Sequence, residues 1–180
     1  MGVAMHDILL VCYSRTGNTR LVADELARFT GWPLALIHDA KPRTGARGDW
    51  RCMLDAWLRS RPDYRYEGPP PENFEHIVLL TPVWMKRLAA PLRAFLGDHD
   101  LSRQRVSVVC TQGGRGGFNA VEEIATLTRQ VPSPVQILLQ REVLSGLSPQ
   151  RLEDFVVQVL ASSTYQRDRQ RPSWLSPVAS

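Results

Sequence analysis

The chain has no long apolar run. None of its hydrophobic stretches approaches the twenty or so residues of a membrane-spanning helix, so no membrane span is expected. Cysteine is scarce: Cys12, Cys52 and Cys110 are odd in number and far apart, which does not support a disulfide framework or a metal site. Cys12 and Cys110 fall inside strand patterns and read as buried thiols, and a reducing compartment, the cytoplasm, is expected. The opening "MGVAMHDILLVCYS" lacks a basic leader and a small-residue cleavage site, so it does not read as a signal peptide. His6 stands where a myristoylation signal needs Ser or Thr. His6, His38, His76 and His99 share no motif, and none is assigned a catalytic role, although His38 closes a strand.

What is present is ordinary for one soluble domain: 180 residues, 43% hydrophobic and 22% charged, enough for a sizeable core. The net charge of +4 is concentrated in two places. One is the stretch from Lys41 to Arg61, with Arg43, Arg47, Arg51 and Arg59; the other is the tail "QRDRQRPSW". Both read as solvated faces, and no nucleic-acid partner is expected.

Along the chain, strand and helix patterns alternate. Ile8–Tyr13, "PLALIH", "HIVLLTP", "RVSVVCT" and "VQILLQ" are short apolar runs of the kind buried on both faces of a sheet. Between them, helical spacing links Val22, Leu26 and Phe29, then Trp50, Met53, Leu54, Trp57 and Leu58. The same spacing links Leu88, Leu92, Phe95 and Leu96, then Val121, Ile124, Ala125 and Thr128. "PDYRYEGPPPE" reads as a loop fixed by its prolines. Ser148 caps a last helix with Pro149 in its first turn and Leu152, Phe155, Val156 and Val159 on its buried face. The expected organisation is one domain over 1–163 and a flexible basic tail over 164–180.

Five βα units predict an α/β fold of three layers, α/β/α, with a five-stranded parallel sheet of order 2-1-3-4-5. Ligands of such sheets sit at the carboxyl ends of the strands, where the order reverses. The informative loops therefore follow strands 1, 3 and 4.

The first loop is Ser14-Arg15-Thr16-Gly17-Asn18-Thr19. A helix starts at once, so its unpaired amides and its dipole favour an anion. Three hydroxyls can donate to phosphate oxygens, and Gly17 lets the backbone come close. A Walker A loop would need a lysine that is absent here, and a cysteine-phosphatase loop would need arginine where Asn18 stands. The second loop, Thr81-Pro82-Val83-Trp84-Met85-Lys86, offers an indole that can lie on a flat ring or pack on its own helix. In the third, Thr111-Gln112-Gly113-Gly114-Arg115-Gly116-Gly117, four glycines in seven residues suit backbone laid against a ligand or a mobile loop. Phosphate cup, aromatic plate and backbone strap together suit flavin mononucleotide (FMN).

"SRTGNT" resembles the phosphate loop of flavodoxins, and "TPVWMKRLAAPLRAFL" and "CTQGGRGG" resemble the second and third loops of flavodoxin-like oxidoreductases. The likeness extends over roughly residues 6 to 160. It implies a flavodoxin-like fold that binds FMN. Ser14, Arg15, Thr16, Gly17, Asn18 and Thr19 would hold the phosphate. Pro82, Val83, Trp84, Met85 and Lys86 would border one side of the ring system; Thr111, Gln112, Gly113, Gly114 and Gly117 would border the other. Relatives carry glycine near Met85–Lys86. Its absence makes a backbone flip there costlier, while Lys86 offers a cation near the ring.

The basic charge favours an FMN-dependent oxidoreductase that takes electrons from a nicotinamide dinucleotide and passes them to a small acceptor such as a quinone. A one-electron carrier and a flavin-free interaction domain are the alternatives. A response-regulator receiver domain is excluded, because Cys-Tyr-Ser and Thr-Pro-Val stand where acidic residues are required. A small-molecule or protein redox partner is expected, and Trp50 and Trp57 suit either the core or a homodimer face.

Overall fold

A computed structural model describes residues 7–40, 62–146 and 149–170. The helix expected around Trp50–Leu58, Cys52, the Lys41–Arg61 charge cluster, His6, the Ser148 cap and residues 171–180 lie outside the described residues.

Strand β1 is Ile8–Tyr13, followed by helix α1, Asn18–Thr30, and β2, Leu34–Asp39. Next come β3, Tyr64–Glu67, a 3-10 turn at Pro71–Asn73, and β4, His76–Trp84. A two-residue strand β5, Arg87–Leu88, leads into α2, Ala90–Asp98. The chain continues as β6, Arg105–Gln112, α3, Gly117–Thr128, β7, Val135–Leu139, a short α4, Gln140–Leu144, and α5, Pro149–Gln170. The last helix thus continues past residue 163, where the sequence suggested the domain ends.

Five parallel strands lie in the order β2-β1-β4-β6-β7, which is the expected 2-1-3-4-5 arrangement. The sheet is larger than expected, because two antiparallel strands join it. β3 pairs with β2, and β5 folds back on β4. The expectation of a plain proline loop over residues 62–72 is therefore corrected. Prolines fix only its second half, and the Tyr-Arg-Tyr-Glu alternation forms an edge strand. Its two tyrosines pack on Phe95 of α2, Tyr64 edge-on at 6.1 Å between ring centroids and Tyr66 stacked at 5.4 Å.

The alternation of β1 divides the core. Leu9, Val11 and Tyr13 meet Leu92 and Phe95 of α2 and Ala120 and Ile124 of α3 on one face. Ile8, Leu10 and Cys12 meet Val22 and Leu26 of α1, Val143 of α4, and Leu152, Phe155 and Val159 of α5 on the other. Both faces are dry because both are covered by helices, which is why these strands need apolar residues at every position. Phe29 lies in α1 as its spacing predicts, on the exposed side of the helix, 53% accessible. One helical assignment is corrected. Leu88 belongs to β5, and Pro91 sits in the first turn of α2, where a missing N–H costs no helical bond.

Cys12 and Cys110 are buried free thiols, and burial pushes each up to about 12. Among the described residues no helix is long and apolar enough to cross a membrane, and no group of three or more His, Cys, Asp or Glu side chains could hold a metal ion.

Candidate functional site

The loop after β1 ends at Gly17, which precedes α1 with φ +90° and no side-chain cap. The first helical hydrogen bond runs from the Leu21 N–H to the Gly17 carbonyl at 2.9 Å. The amides of Asn18, Thr19 and Arg20 therefore precede the helical ladder and lack acceptors within it. A Cβ on Gly17 would meet nothing within 4 Å, so the space around this turn is open, and only the left-handed backbone demands glycine.

The hydroxyls of this loop divide into two kinds. Thr16 is exposed. Thr19 is buried, and its Oγ1 lies 2.7 Å from Oγ1 of Thr111, itself buried at the end of β6. That bond ties the first loop to the third. Thr19 and Thr111 thus hold two of the predicted ligand loops together, and Thr111 also lines the space between them.

The loop after β4 is a tight hairpin. Val83 pairs with Leu88 and Trp84 with Arg87, leaving Met85 and Lys86 as the two turn residues. Both have positive φ, +48° and +62°. A two-residue hairpin needs a turn of this hand to match the twist of its strands, and Asn-Gly is the usual solution. Here two ordinary L-residues adopt it, at a cost of roughly 1–2 kcal/mol each. The missing glycine of the sequence therefore does not exclude the left-handed backbone; the fold imposes it. Met85 is 58% exposed at the tip. Over the ring of Trp84 lies the Arg15 guanidinium, 5.3 Å from the centroid, a cation–π contact that bridges the first loop and the hairpin.

The third loop is fixed by its own side chains. The Gly117 N–H donates to Oε1 of Gln112 at 2.7 Å, so Gln112 closes the β6–α3 loop. A Cβ on Gly117 would lie 2.8 Å from Ile137, so this glycine faces the core at β7. Gly116, which the sequence did not single out, is the residue the hairpin needs. At φ +109° it lies against Lys86, and a Cβ there would stand 2.3 Å from the Lys86 Cα. Only glycine, which has no Cβ, fits without a shift of the hairpin.

The three loops enclose one pocket of about 330 Å³. Thr16 and Asn18 line it from the first loop, Pro82 to Lys86 from the second, and Thr111 to Arg115 from the third. Its size lies within the range of roughly 300–1,000 Å³ usual for small-molecule sites. Ser14, Arg15, Gly17, Thr19 and Gly117 are not part of the wall. Gln140, at the start of α4, is, and the sequence offered no signal for it because it comes from a fourth segment. His38 lies apart from this wall, with Nε2 3.5 Å from the Glu67 carboxylate.

No family model and no curated protein matches the chain. Solved structures do. A protein of Bacteroides uniformis provisionally assigned as a flavoprotein superposes with a TM-score of 0.72 at 21% identity, over 84% of this chain and 97% of its own. A flavoprotein of Lactobacillus acidophilus in complex with FMN gives 0.58 at 16% identity, over 78% and 97%. A flavodoxin of Fusobacterium nucleatum bound to FMN gives 0.55 at 13% identity, over 86% and 97%. The fold of this chain is the flavodoxin-like three-layer fold these proteins share.

Proposed function

We propose that the chain binds FMN in the pocket between the loops after β1, β4 and β6 and works as an oxidoreductase. In this reading it takes electrons from a reduced nicotinamide dinucleotide and passes them to a small acceptor such as a quinone. One observation carries it: the helix start, the indole and the glycine strap meet around a single cavity at the carboxyl edge of the sheet. Two of the similar structures hold FMN, which supports the same ligand here.

The residues fit the group. The open space at Gly17, the amides of Asn18, Thr19 and Arg20 and the Thr16 hydroxyl suit a phosphate dianion, with the helix dipole adding to the attraction. Ser14 and Arg15 belong to the same loop, and Thr19 holds it in place through Thr111. Pro82, Val83, Trp84, Met85 and Lys86 would border one side of the flat ring, and Thr111, Gln112, Gly113 and Gly114 the other; Gly117 supports that loop from behind. When bound, flavin supplies the electron-transfer chemistry; the protein supplies position, shape and charge. Lys86 and Arg115 line the pocket, and Arg15 stands over Trp84. Their charges raise the local concentration of phosphate-bearing donors. The buried, high-pKa thiols support a cytoplasmic setting, where free cysteine persists.

The test is direct. Purified protein reconstituted with FMN should turn yellow and release the flavin on denaturation. It should then oxidise NADH or NADPH when a quinone is supplied. Protein that takes up no flavin from an excess overturns the binding, and protein that binds FMN but oxidises no dinucleotide is a carrier instead.

A further inference from the structure

The β4–β5 hairpin carries a burden its own bonds do not explain. β5 is only two residues long, its register holds two pairs, and both turn residues are left-handed without being glycine. A short two-stranded ribbon is marginal by itself. There is also room for it to move. Met85 and Lys86 form a wall of the 330 Å³ pocket and, on their other side, of an open cleft of about 720 Å³ that reaches α2 and α3. The turn is thus a thin partition between two spaces.

Its outer edge is fastened by side chains. Glu123 of α3 accepts from the Leu88 N–H through Oε2 at 3.3 Å and from Arg93 Nε through Oε1 at 2.5 Å. Arg93 of α2 donates from Nη2 to the Leu88 carbonyl at 2.9 Å. Both backbone polar groups of Leu88 are therefore satisfied by one ion pair shared between two helices. The Arg93 side chain is 5% exposed and that of Glu123 23%, so the pair is largely withdrawn from water and sensitive to misplacement. On the opposite side Gly116 presses on Lys86.

We propose that the Arg93–Glu123 pair is a positioning device that clamps β5 and so holds the left-handed Met85–Lys86 turn across the candidate flavin pocket. Its consequence for ligand binding rests on the FMN reading; the clamp itself does not. Buried ion pairs are weak sources of stability, and in some proteins what they supply is a fixed geometry. Here the geometry fixed is that of a backbone turn facing the ligand.

The experiment compares wild type with Glu123→Gln, each with the natural turn and with Met85→Asn plus Lys86→Gly, a pair suited to this turn without assistance. Amide exchange is read on the flavin-free protein and FMN affinity on the reconstituted one. With the natural turn, E123Q should speed exchange over residues 84–88 about tenfold or more while β1 and β6 stay protected. It should also weaken FMN binding about tenfold, a loss that shrinks to within about twofold in the Asn-Gly background. Should E123Q fail to fold, Glu123→Asp keeps the charge but shortens the reach to Leu88, and the same readings apply. Unchanged exchange at 84–88, equal loosening of the whole sheet, or a binding loss undiminished by Asn-Gly overturns the clamp. If wild type binds no FMN, the function reading fails, and exchange in the flavin-free protein alone decides the clamp.

Discussion

Replacing Gly116 by alanine should be among the most damaging single-methyl additions available to this chain, and its size can be worked from the contact geometry. The backbone at 116 has φ +109°, which an L-residue adopts at a cost of about 1–2 kcal/mol. The added Cβ would stand 2.3 Å from the Lys86 Cα, 2.6 Å from its Cβ and 2.9 Å from its Cγ. The nearest of these is backbone and cannot rotate aside, so hairpin and loop must separate by about 1 Å, an overpacking cost of about 1–3 kcal/mol. Together these predict a destabilisation of about 2–5 kcal/mol, read by urea unfolding of the flavin-free protein at pH 7. Two alanine variants calibrate it. Gly17→Ala has the left-handed backbone without the clash and should cost about 1–2 kcal/mol. Gly114→Ala has neither and should stay within about 0.5 kcal/mol of wild type, or gain slightly from a stiffer unfolded chain. A Gly116→Ala variant as stable as Gly114→Ala would refute the packing of the third loop on the hairpin.

The two threonines of the first loop should separate cleanly. Thr16→Val removes an exposed donor and should weaken FMN binding about 10- to 100-fold with little change in unfolding, whereas Thr19→Val strands the buried Thr111 hydroxyl and should cost about 1–3 kcal/mol even without flavin. Fluorescence titration with FMN and thermal melts of flavin-free protein check both. His76 is fully buried; its Nε2–H donates to Ser107 Oγ at 2.7 Å, because the Ser107 hydroxyl donates to the Ser133 carbonyl at 3.0 Å. Burial, with Arg105 adding to it, lowers this histidine from 6.5 to about 3. The folded state then binds fewer protons than the unfolded one between those values, so stability falls on acidification through that window. Between pH 7 and pH 5 the loss should be about 2 kcal/mol by urea unfolding, and His76→Gln should flatten it. Cys12 and Cys110, held near 12 by burial, should resist alkylation in the native protein and react on unfolding, which mass spectrometry of labelled peptides reads.

The sequence carried the layout of the site because each of its three loops follows a strand whose apolar run is continuous. Continuous burial fixes a parallel sheet, and the sheet fixes which strand ends meet. It carried β3 less well. Tyr64 and Tyr66 alternate with polar residues over only four positions, beside three prolines, and their partner Phe95 is about thirty residues away. Leu88 fits the helical spacing of Leu92, Phe95 and Leu96 as well as it fits a strand, and the pairing of Val83 with Leu88 decides the matter. Gly116 looked like one glycine among four; its left-handed backbone and its contact with Lys86 distinguish it from Gly113 and Gly114.

By itself, then, the chain's sequence determined the alternation of strands and helices, the order of the parallel strands, and the three turns that gather at one edge. These follow from local periodicity and from the few ways a right-handed βα chain can wind. The tertiary structure alone decided which threonine faces the pocket and which bonds Thr111, 92 residues away. It likewise decided that two ordinary residues hold a left-handed turn, between a glycine and an ion pair whose partners lie 30 residues apart. The physical reason is reach: burial is written into each segment's own pattern, whereas the partner of a buried hydroxyl, guanidinium or strained turn exists only once distant segments have been packed together.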